Sequence, residues 1–336
     1  MPKRPIRIAI NGFGRIGRAL LRILLQGRDT FELVLINDIE PIETCAYLFE
    51  FDSIYGPWRG DVAVGPSALI VDGAAIPFHA QTDLRALDLS GVDLVLECTG
   101  MAGTRAVAER GLQAGAAAVL VSGPASDADV TLVLGANEDQ LGDARIISNA
   151  SCTTNALAPL LKLLDDSYGV ISGQMTTVHC YTGSQPTVDK PRANPERSRA
   201  AALSMVPTTT SAQHQTDLVL PALKGRVEAR AIRVPTASVS CIDMTLQMRD
   251  RVSVAAVNAL FQAAAVPGGV FGWTEKPLVS ADLRGRPESI ILSGRETSVS
   301  AGGLLRVFGW YDNEWGFSCR MLDMAERIGQ RDQGSV

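Results

Sequence analysis

The chain has 336 residues, with 31 Lys and Arg against 36 Asp and Glu, and 46% of it is apolar. That length suits two domains, and the composition is that of a folded rather than a disordered chain. A net charge of −5 without a long basic run argues against a nucleic-acid partner, and no stretch approaches 18 uninterrupted apolar residues, so no membrane partner is expected.

The N-terminus, Met1-Pro2-Lys3-Arg4-Pro5, is basic, but a polar, Gly-rich stretch follows from Asn11, which does not fit a signal peptide. The six cysteines stand at 45, 98, 152, 180, 241 and 319, with no CxxC pair and no His-rich partner segment. Disulfide frameworks and zinc sites need tighter spacing, so no metal is expected, and a reducing, cytoplasmic setting fits.

In chain order, residues 6–10 form an apolar run that predicts a strand. Residues 19–25 are dense enough in Leu and Ile for a helix packed on a sheet. Further strands are predicted at 33–36, 92–96, 118–121, 130–134 and 146–147, with a helix at 104–114. Strands alternating with helices predict an α/β architecture with a parallel, doubly wound sheet. Between 52 and 80 the pattern changes to short strands with a turn at Asp72-Gly73, an antiparallel excursion. Beyond 151 come a helix at 153–164 and long alternating runs at 169–181, 227–247 and 304–310. These predict an α+β domain with an antiparallel sheet and helices on one face. A last helix is predicted at 315–328. The expected boundaries of these two closely packed domains are 1–151 and 152–314, with 315–336 returning to the first.

Gly12, Gly14 and Gly17 form GxGxxG directly after a strand and at the start of a helix. Glycines there allow a tight turn, backbone approach to a pyrophosphate and close helix–strand packing. The helix N-terminus offers free N–H groups to the phosphates. Asp38, about 20 residues on, ends the second strand, where an acid hydrogen-bonds ribose hydroxyls. With Glu40 close behind, it would repel a 2′-phosphate. A Rossmann-type NAD site is the expectation, with a chance Gly-rich turn as the alternative.

Cys152 sits in Ser151-Cys152-Thr153-Thr154-Asn155, at the N-terminus of a predicted helix, where the dipole favours thiolate over thiol. A buried structural cysteine is the alternative, and Cys45, Cys98, Cys241 and Cys319 suit it better. Of three histidines, His79 and His214 read as surface residues. His179 ends a strand-like run, where a side chain can be held over a cleft, and a Cys–His pair activates a thiol nucleophile. Spacing alone leaves the Cys152–His179 pairing open. Arg197, Arg199 and Arg233, each alone more often a solvated or ion-pairing residue, would form anion sites with Thr208, Thr209, Thr210 and Ser211.

Together these pieces resemble the phosphorylating glyceraldehyde-3-phosphate dehydrogenase family from end to end. INGFGRIGR at the start, NASCTTN around Cys152, RVPTASVS from Arg233 and WYDNEWG from Trp310 match its pattern in order and spacing. The resemblance implies that Cys152 attacks an aldehyde to give a thiohemiacetal, with His179 as base. Hydride transfer to NAD leaves a thioester, which inorganic phosphate attacks. It implies that Thr182 and Arg233 hold the phosphorylated aldehyde's own phosphate. Ser151, Thr153, Thr210 and Ser211 match the pocket for the attacking phosphate, with Arg197 between the two. For NAD, Arg15 and Ile16 belong to the phosphate turn, Asp38 to the ribose contact, Ser122 to a loop contact and Asn313 to the nicotinamide carboxamide. A homotetramer is implied, with residues 182–198 matching a loop that crosses a subunit interface.

Some positions depart from the family's commonest pattern. Ser211 replaces a glycine, Phe317 a tyrosine, and Gln81-Thr82-Asp83 a Glu-Arg-Asp. Cys180 places a second thiol beside the base, and residues 280–302 match poorly. Erythrose-4-phosphate dehydrogenase, which releases its acyl-enzyme with water, is the nearest rival. A catalytically silent NAD-binding protein is the rival from another class. Semialdehyde dehydrogenases lack the NEWG and RVPT matches.

Overall fold

The alternation of aliphatic strands and helices in the first half builds a nine-stranded sheet in the computed structural model, which describes residues 4–334. Residues 1–3 of the basic start and 335–336 of the expected C-terminal segment lie outside the described residues. The strand order is Val130–Thr131, Ile146–Ser148, Ala118–Val121, Leu94–Glu97, Ile6–Asn11, Phe31–Asn37, Ala74–His79, Ala68–Val71 and Val62–Val64. All neighbours are parallel as far as Ala74–His79, and the last two pairings are antiparallel. The antiparallel excursion turns at Asp72 and Gly73, whose φ angles of +50° and +80° are the paired positive values of a tight hairpin turn.

The strand predicted at 130–134 stops at Thr131. Leu132 still donates to the Ser148 carbonyl at 2.9 Å, but the next N–H, that of Val133, is taken by Asn137 Oδ1 at 2.9 Å. That local bond turns the chain out of the ladder. Helix Arg15–Leu24 begins four residues before the predicted one, because its first turn is the Gly-rich segment and carries no apolar stripe.

By internal packing the chain forms two compact units, 1–132 with 138–150 and 318–336, and 133–137 with 151–317. The C-terminal helix Trp315–Gly334 contributes its larger part to the first. There Asp323 pairs with Arg28 at 2.9 Å, and Arg331 donates to the carbonyls of Gly142 and Ala144 at 2.8 Å each.

The second unit carries a sheet of eight strands. Val206–Thr208, Val227–Val234, Val170–Cys180, Ser240–Met248, Leu304–Tyr311, Ile290–Ser293 and Phe271–Thr274 follow one another, and Ser298–Val299 pairs with Leu304–Tyr311. Most pairings are antiparallel, but Val170–Cys180 runs parallel to Val227–Val234, and Phe271–Thr274 parallel to Ile290–Ser293. The expected antiparallel sheet is antiparallel in most of its pairings, and the Val170–Cys180 pairing is parallel because residues 181–226 form a long crossover instead of a hairpin. The alternating run at 227–247 is two strands. Pro235, with no N–H to donate, lies in the gap between them.

Helix Cys152–Tyr168 packs Leu157, Leu160, Leu161 and Leu164 into a core with Met175, Ile242, Met244, Leu246, Leu305 and Val307. Each such side chain contributes roughly 1.5–3 kcal/mol on burial. This core fixes the helix on the sheet, and so fixes where its first residue, Cys152, lies. Among the described residues no helix is long and apolar enough to cross a membrane.

Candidate active site

In the first unit the Gly-rich turn shows why three glycines stand there. Gly12 has φ +92°, and a Cβ on it would lie 2.6 Å from the Thr99 backbone nitrogen. A Cβ on Gly17 would collide with the Gly12 carbonyl oxygen. Gly14, between them, faces open space, with nothing within 4 Å of where a methyl group would stand. The outer two glycines let strand and helix close on each other, and the middle one leaves its face for a ligand.

Gly12 and Gly14 line a cleft of ≈ 550 Å³ together with Asn37, Asp38, Gln81 and Thr99. That is the size range of a small-ligand pocket, about 300–1,000 Å³. Asp38 accepts from the Phe13 N–H at 2.5 Å through one oxygen and from the Glu40 N–H at 2.9 Å through the other. Each carboxylate oxygen retains a lone pair for a ribose hydroxyl. Arg15 and Ile16 open the helix, where N–H groups lack intrahelical partners; the Arg15 side chain itself pairs with Asp52. Ser122 donates its N–H to Glu97 O at 2.9 Å, just past the strand Ala118–Val121. The residues present thus fit a dinucleotide: open space at Gly14 before a helix N-terminus, with the Asp38 carboxylate as a ribose acceptor in the same cleft.

One group here escaped the sequence reading. Glu97 is 2% exposed and accepts from Asn11 Nδ2 at 2.5 Å, Thr99 N at 2.9 Å and Thr99 Oγ1 at 2.5 Å. Asn37 in turn donates to Asn11 Oδ1 at 2.8 Å. These bonds tie three adjacent strand ends beneath the cleft. The ECTG segment carries no periodic signal, and only the parallel strand order brings it there.

In the second unit Cys152 and His179 meet, with Sγ 3.5 Å from Nε2. Ser151 caps the Cys152 helix, its Oγ accepting from Thr154 N at 3.2 Å. Thr154 Oγ1 donates to Gln215 Oε1 at 3.0 Å, on helix Ala212–Val219. That bond ties the Ser151–Thr153 turn to the helix that Thr210 and Ser211 precede. Thr210 Oγ1 accepts from Ala212 N at 3.2 Å, while Ser211 is exposed and makes no side-chain cap. Arg197 is exposed on its loop and donates to Thr208 Oγ1 at 2.8 Å and Thr209 O at 3.0 Å. Thr182 lies within 2.9 Å of Ser184 Oγ, two residues past the end of the His179 strand. His214 is exposed and His79 half-buried.

Arg233 Nη1 lies 2.6 Å from His179 Nδ1 and donates to Cys180 O at 3.0 Å; that same carbonyl is 2.7 Å from Nδ1. A guanidinium only donates. With Arg233 in place, Nδ1 is the acceptor, and the ring proton sits on Nε2 facing the sulfur. With Arg233 drawn away, Nδ1–H can donate to Cys180 O, and Nε2 is left to accept the thiol proton.

Burial pushes the Cys152 thiol up from its ordinary value, opposed by the Arg233 charge and by hydrogen bonds from Thr153 and the backbone. Burial, joined by the Arg233 charge, pushes the His179 imidazole down. The backbone N–H groups at the helix N-terminus favour the thiolate, in the direction the sequence suggests, but desolvation is the larger effect. Burial thus disfavours the charge on either group. Cys45 and Cys241 are pushed up by burial to about 11 and about 12 with no such partner, which suits inert thiols.

Tyr311 is the main residue of this cluster that the sequence reading passed over. Its Oη lies 2.9 Å from Thr153 Oγ1 and 2.7 Å from Thr177 Oγ1, and its ring stands edge-on to His179 at 6.0 Å. It sat within WYDNEWG, but only tertiary pairing shows what it touches. Tyr311→Phe keeps the ring and removes both bonds, so stability is expected to fall by about 1–3 kcal/mol in denaturant unfolding. Activity is expected to fall much less than when His179 is replaced.

A dinucleotide-binding α/β unit and a thiol–imidazole pair in one chain define the class: an NAD-dependent oxidoreductase equipped for covalent thiol chemistry. Residues 6–105 match the NAD-binding domain of glyceraldehyde 3-phosphate dehydrogenase, and residues 151–313 match its C-terminal domain. The chain is 46% identical over 329 residues to glyceraldehyde-3-phosphate dehydrogenase of Cereibacter sphaeroides, covering 97% of this chain and 99% of the relative. It is 45% identical over 331 residues to the Xanthobacter flavus enzyme of that name, at the same coverage. Glyceraldehyde-3-phosphate dehydrogenase 1 of Bacillus subtilis is 41% identical over 332 residues, again with 97% of this chain and 99% of the relative covered. The chain belongs to the glyceraldehyde-3-phosphate dehydrogenase family.

Proposed function

We propose that this protein oxidises glyceraldehyde 3-phosphate to 1,3-bisphosphoglycerate, with NAD and inorganic phosphate as co-substrates. The observation that carries this reading is Cys152 Sγ at 3.5 Å from His179 Nε2, with Arg233 against the far side of the imidazole.

Cys152 Sγ attacks the aldehyde carbon as its C=O π bond opens, and His179 takes the thiol proton and hands it to the former carbonyl oxygen, giving a thiohemiacetal and leaving the imidazole neutral. NAD, held by the Gly12–Gly17 turn and Asp38, supplies the two-electron acceptor for the hydride. His179 takes the hydroxyl proton as that hydride leaves, giving a thioester on Cys152. An inorganic phosphate oxygen then attacks the acyl carbon, the C–S bond breaks, and Cys152 returns as thiolate. Arg233 and Thr182 hold the substrate's phosphate, and that anion draws Arg233 from Nδ1, leaving His179 Nε2 as the acceptor. Ser151, Thr153, Thr210 and Ser211, with Arg197 alongside, receive the attacking phosphate. Asn313 holds the nicotinamide carboxamide, and Arg15, Ile16 and Ser122 line the rest of the cofactor's path.

The protein is further proposed to work in the cytoplasm as a homotetramer. Val188, Leu203 and Met205, 72%, 85% and 75% exposed on one loop, are apolar surface that an interface would cover. Purified protein is expected to form NADH from glyceraldehyde 3-phosphate in a phosphate-dependent manner. Phosphate-independent turnover of erythrose 4-phosphate instead would contradict the assignment.

A further inference from the structure

The strand end that aims His179 at Cys152 also carries Cys180, whose side chain points to the opposite face of the sheet. Three neighbouring strands end at this level. Val170–Cys180 lies beside Ser240–Met248, and Ser240 is in register with Tyr311 of the third strand. Two residues beyond Tyr311 stands Asn313. Cys180, Ser240 and Asn313 are all buried, at 0%, 0% and 7% exposure.

Their hydrogen bonds form a closed set. The Cys180 N–H donates to Ser240 Oγ at 3.2 Å. The Ser240 hydroxyl accepts there, and its own hydrogen goes to Asn313 Oδ1 at 3.2 Å. The Cys180 thiol donates to the same Oδ1 at 3.0 Å. Two donors converge on one amide oxygen, which fixes the otherwise ambiguous orientation of the carboxamide. Among the described residues Asn313 Nδ2 makes no hydrogen bond. Burial holds the Cys180 thiol up at about 12, so it keeps its proton, and hence its role as donor, across the neutral range.

We infer that Cys180 and Ser240 are positioning residues for the cofactor: they lock Asn313 Oδ1 and present Nδ2 as the donor to the nicotinamide carboxamide. This rests on the reading above, in which Asn313 contacts that carboxamide. The same strand end sets the base on one face and, through Cys180, the group that orients the nicotinamide on the other. Loss of the thiol lets the Asn313 amide turn over, which weakens NAD and frees the ring to present either face.

The test uses the full-length protein with Cys180→Ala, Cys180→Ser and Ser240→Ala. NAD affinity is titrated directly, and deuterium transferred from the aldehyde carbon is assigned to one or the other face of the reduced nicotinamide. Cys180→Ala is expected to weaken NAD about 5–10-fold, the worth of one buried hydrogen bond, and to place measurable deuterium on the second face. Cys180→Ser, which keeps a donor, is expected to restore both, and Ser240→Ala to repeat the Cys180→Ala defect. Alkylation of Cys152 is expected to proceed at the unsubstituted rate in each, which separates positioning from general damage. If Cys180→Ala and Ser240→Ala bind NAD as tightly as the unsubstituted protein and transfer deuterium to one face only, the inference is overturned. If Cys180→Ala is poorly folded, Ser240→Ala against Cys180→Ser carries the same decision. Should the unsubstituted protein itself bind no NAD or reduce none with the aldehyde, the functional reading fails instead.

Discussion

Replacing Cys152 with serine is expected to lower kcat for glyceraldehyde 3-phosphate by on the order of 10⁴-fold or more, with little change in stability. Serine fits the same half-buried place at the start of helix Cys152–Tyr168, and the Leu157, Leu160, Leu161 and Leu164 core that holds the helix is untouched. What is lost is the ionisation. A serine hydroxyl is a far weaker acid than a thiol, and Arg233, Thr153 and the helix N–H groups, which oppose burial only in part for sulfur, cannot offset that difference. Steady-state rates, with unfolding curves as the control, check both halves. A fall of less than about tenfold would mean that no bond to this side chain forms in turnover.

His179→Asn is expected to cost kcat about 10²–10⁴-fold, the usual worth of a positioned general base, and to change two pH dependences. With the imidazole present, Nε2 can take the thiol proton whenever Arg233 leaves Nδ1, so Cys152 is expected to react with an alkylating agent near neutral pH. Without it, burial still pushes the thiol up, and alkylation of the variant is expected to rise only above about pH 8.5, the ordinary thiol value. The second dependence concerns folding. Burial and Arg233 hold the folded imidazole below its ordinary value, so at pH below about 6.5 the unfolded chain binds a proton that the folded chain does not. Stability attributable to this group is therefore intact above about pH 6.5 and falls as the pH drops below it. The variant is expected to lose that share of acid sensitivity. An unchanged alkylation profile in His179→Asn would place the base elsewhere.

The features legible in the sequence were those whose chemistry is local. Gly12, Gly14 and Gly17 announce a turn because three backbone constraints fall within six residues, and a Cβ added at each would meet a collision at the outer two and open space at the middle one. Asp38 was readable because the end of a second parallel strand falls at a set distance along the chain. Cys152 was readable as a helix-start thiol, but its protonation was not. Burial by groups from distant strands outweighs the helix end, and no local pattern records that. The same holds for the sheet of the second unit. Alternation marked the strands, but the parallel pairing of Val170–Cys180 with Val227–Val234 follows from a crossover of some 45 residues and leaves no periodic trace. Tyr311, Glu97 and the Cys180–Ser240–Asn313 set escaped for one reason: each acts through partners tens of residues or more away, reached only after strand order and register are fixed.

In the proposed reaction Cys152 carries the acyl group between oxidation and phosphate attack. The most direct measurement incubates the protein with glyceraldehyde 3-phosphate and NAD in phosphate-free buffer, quenches it in acid, and maps covalent adducts by peptide mass spectrometry. A phosphoglyceroyl adduct on Cys152 is expected, formed with about one NADH per adduct and released as acyl phosphate when inorganic phosphate is added. An adduct on any other residue, or NADH formed with Cys152 never acylated, would contradict it.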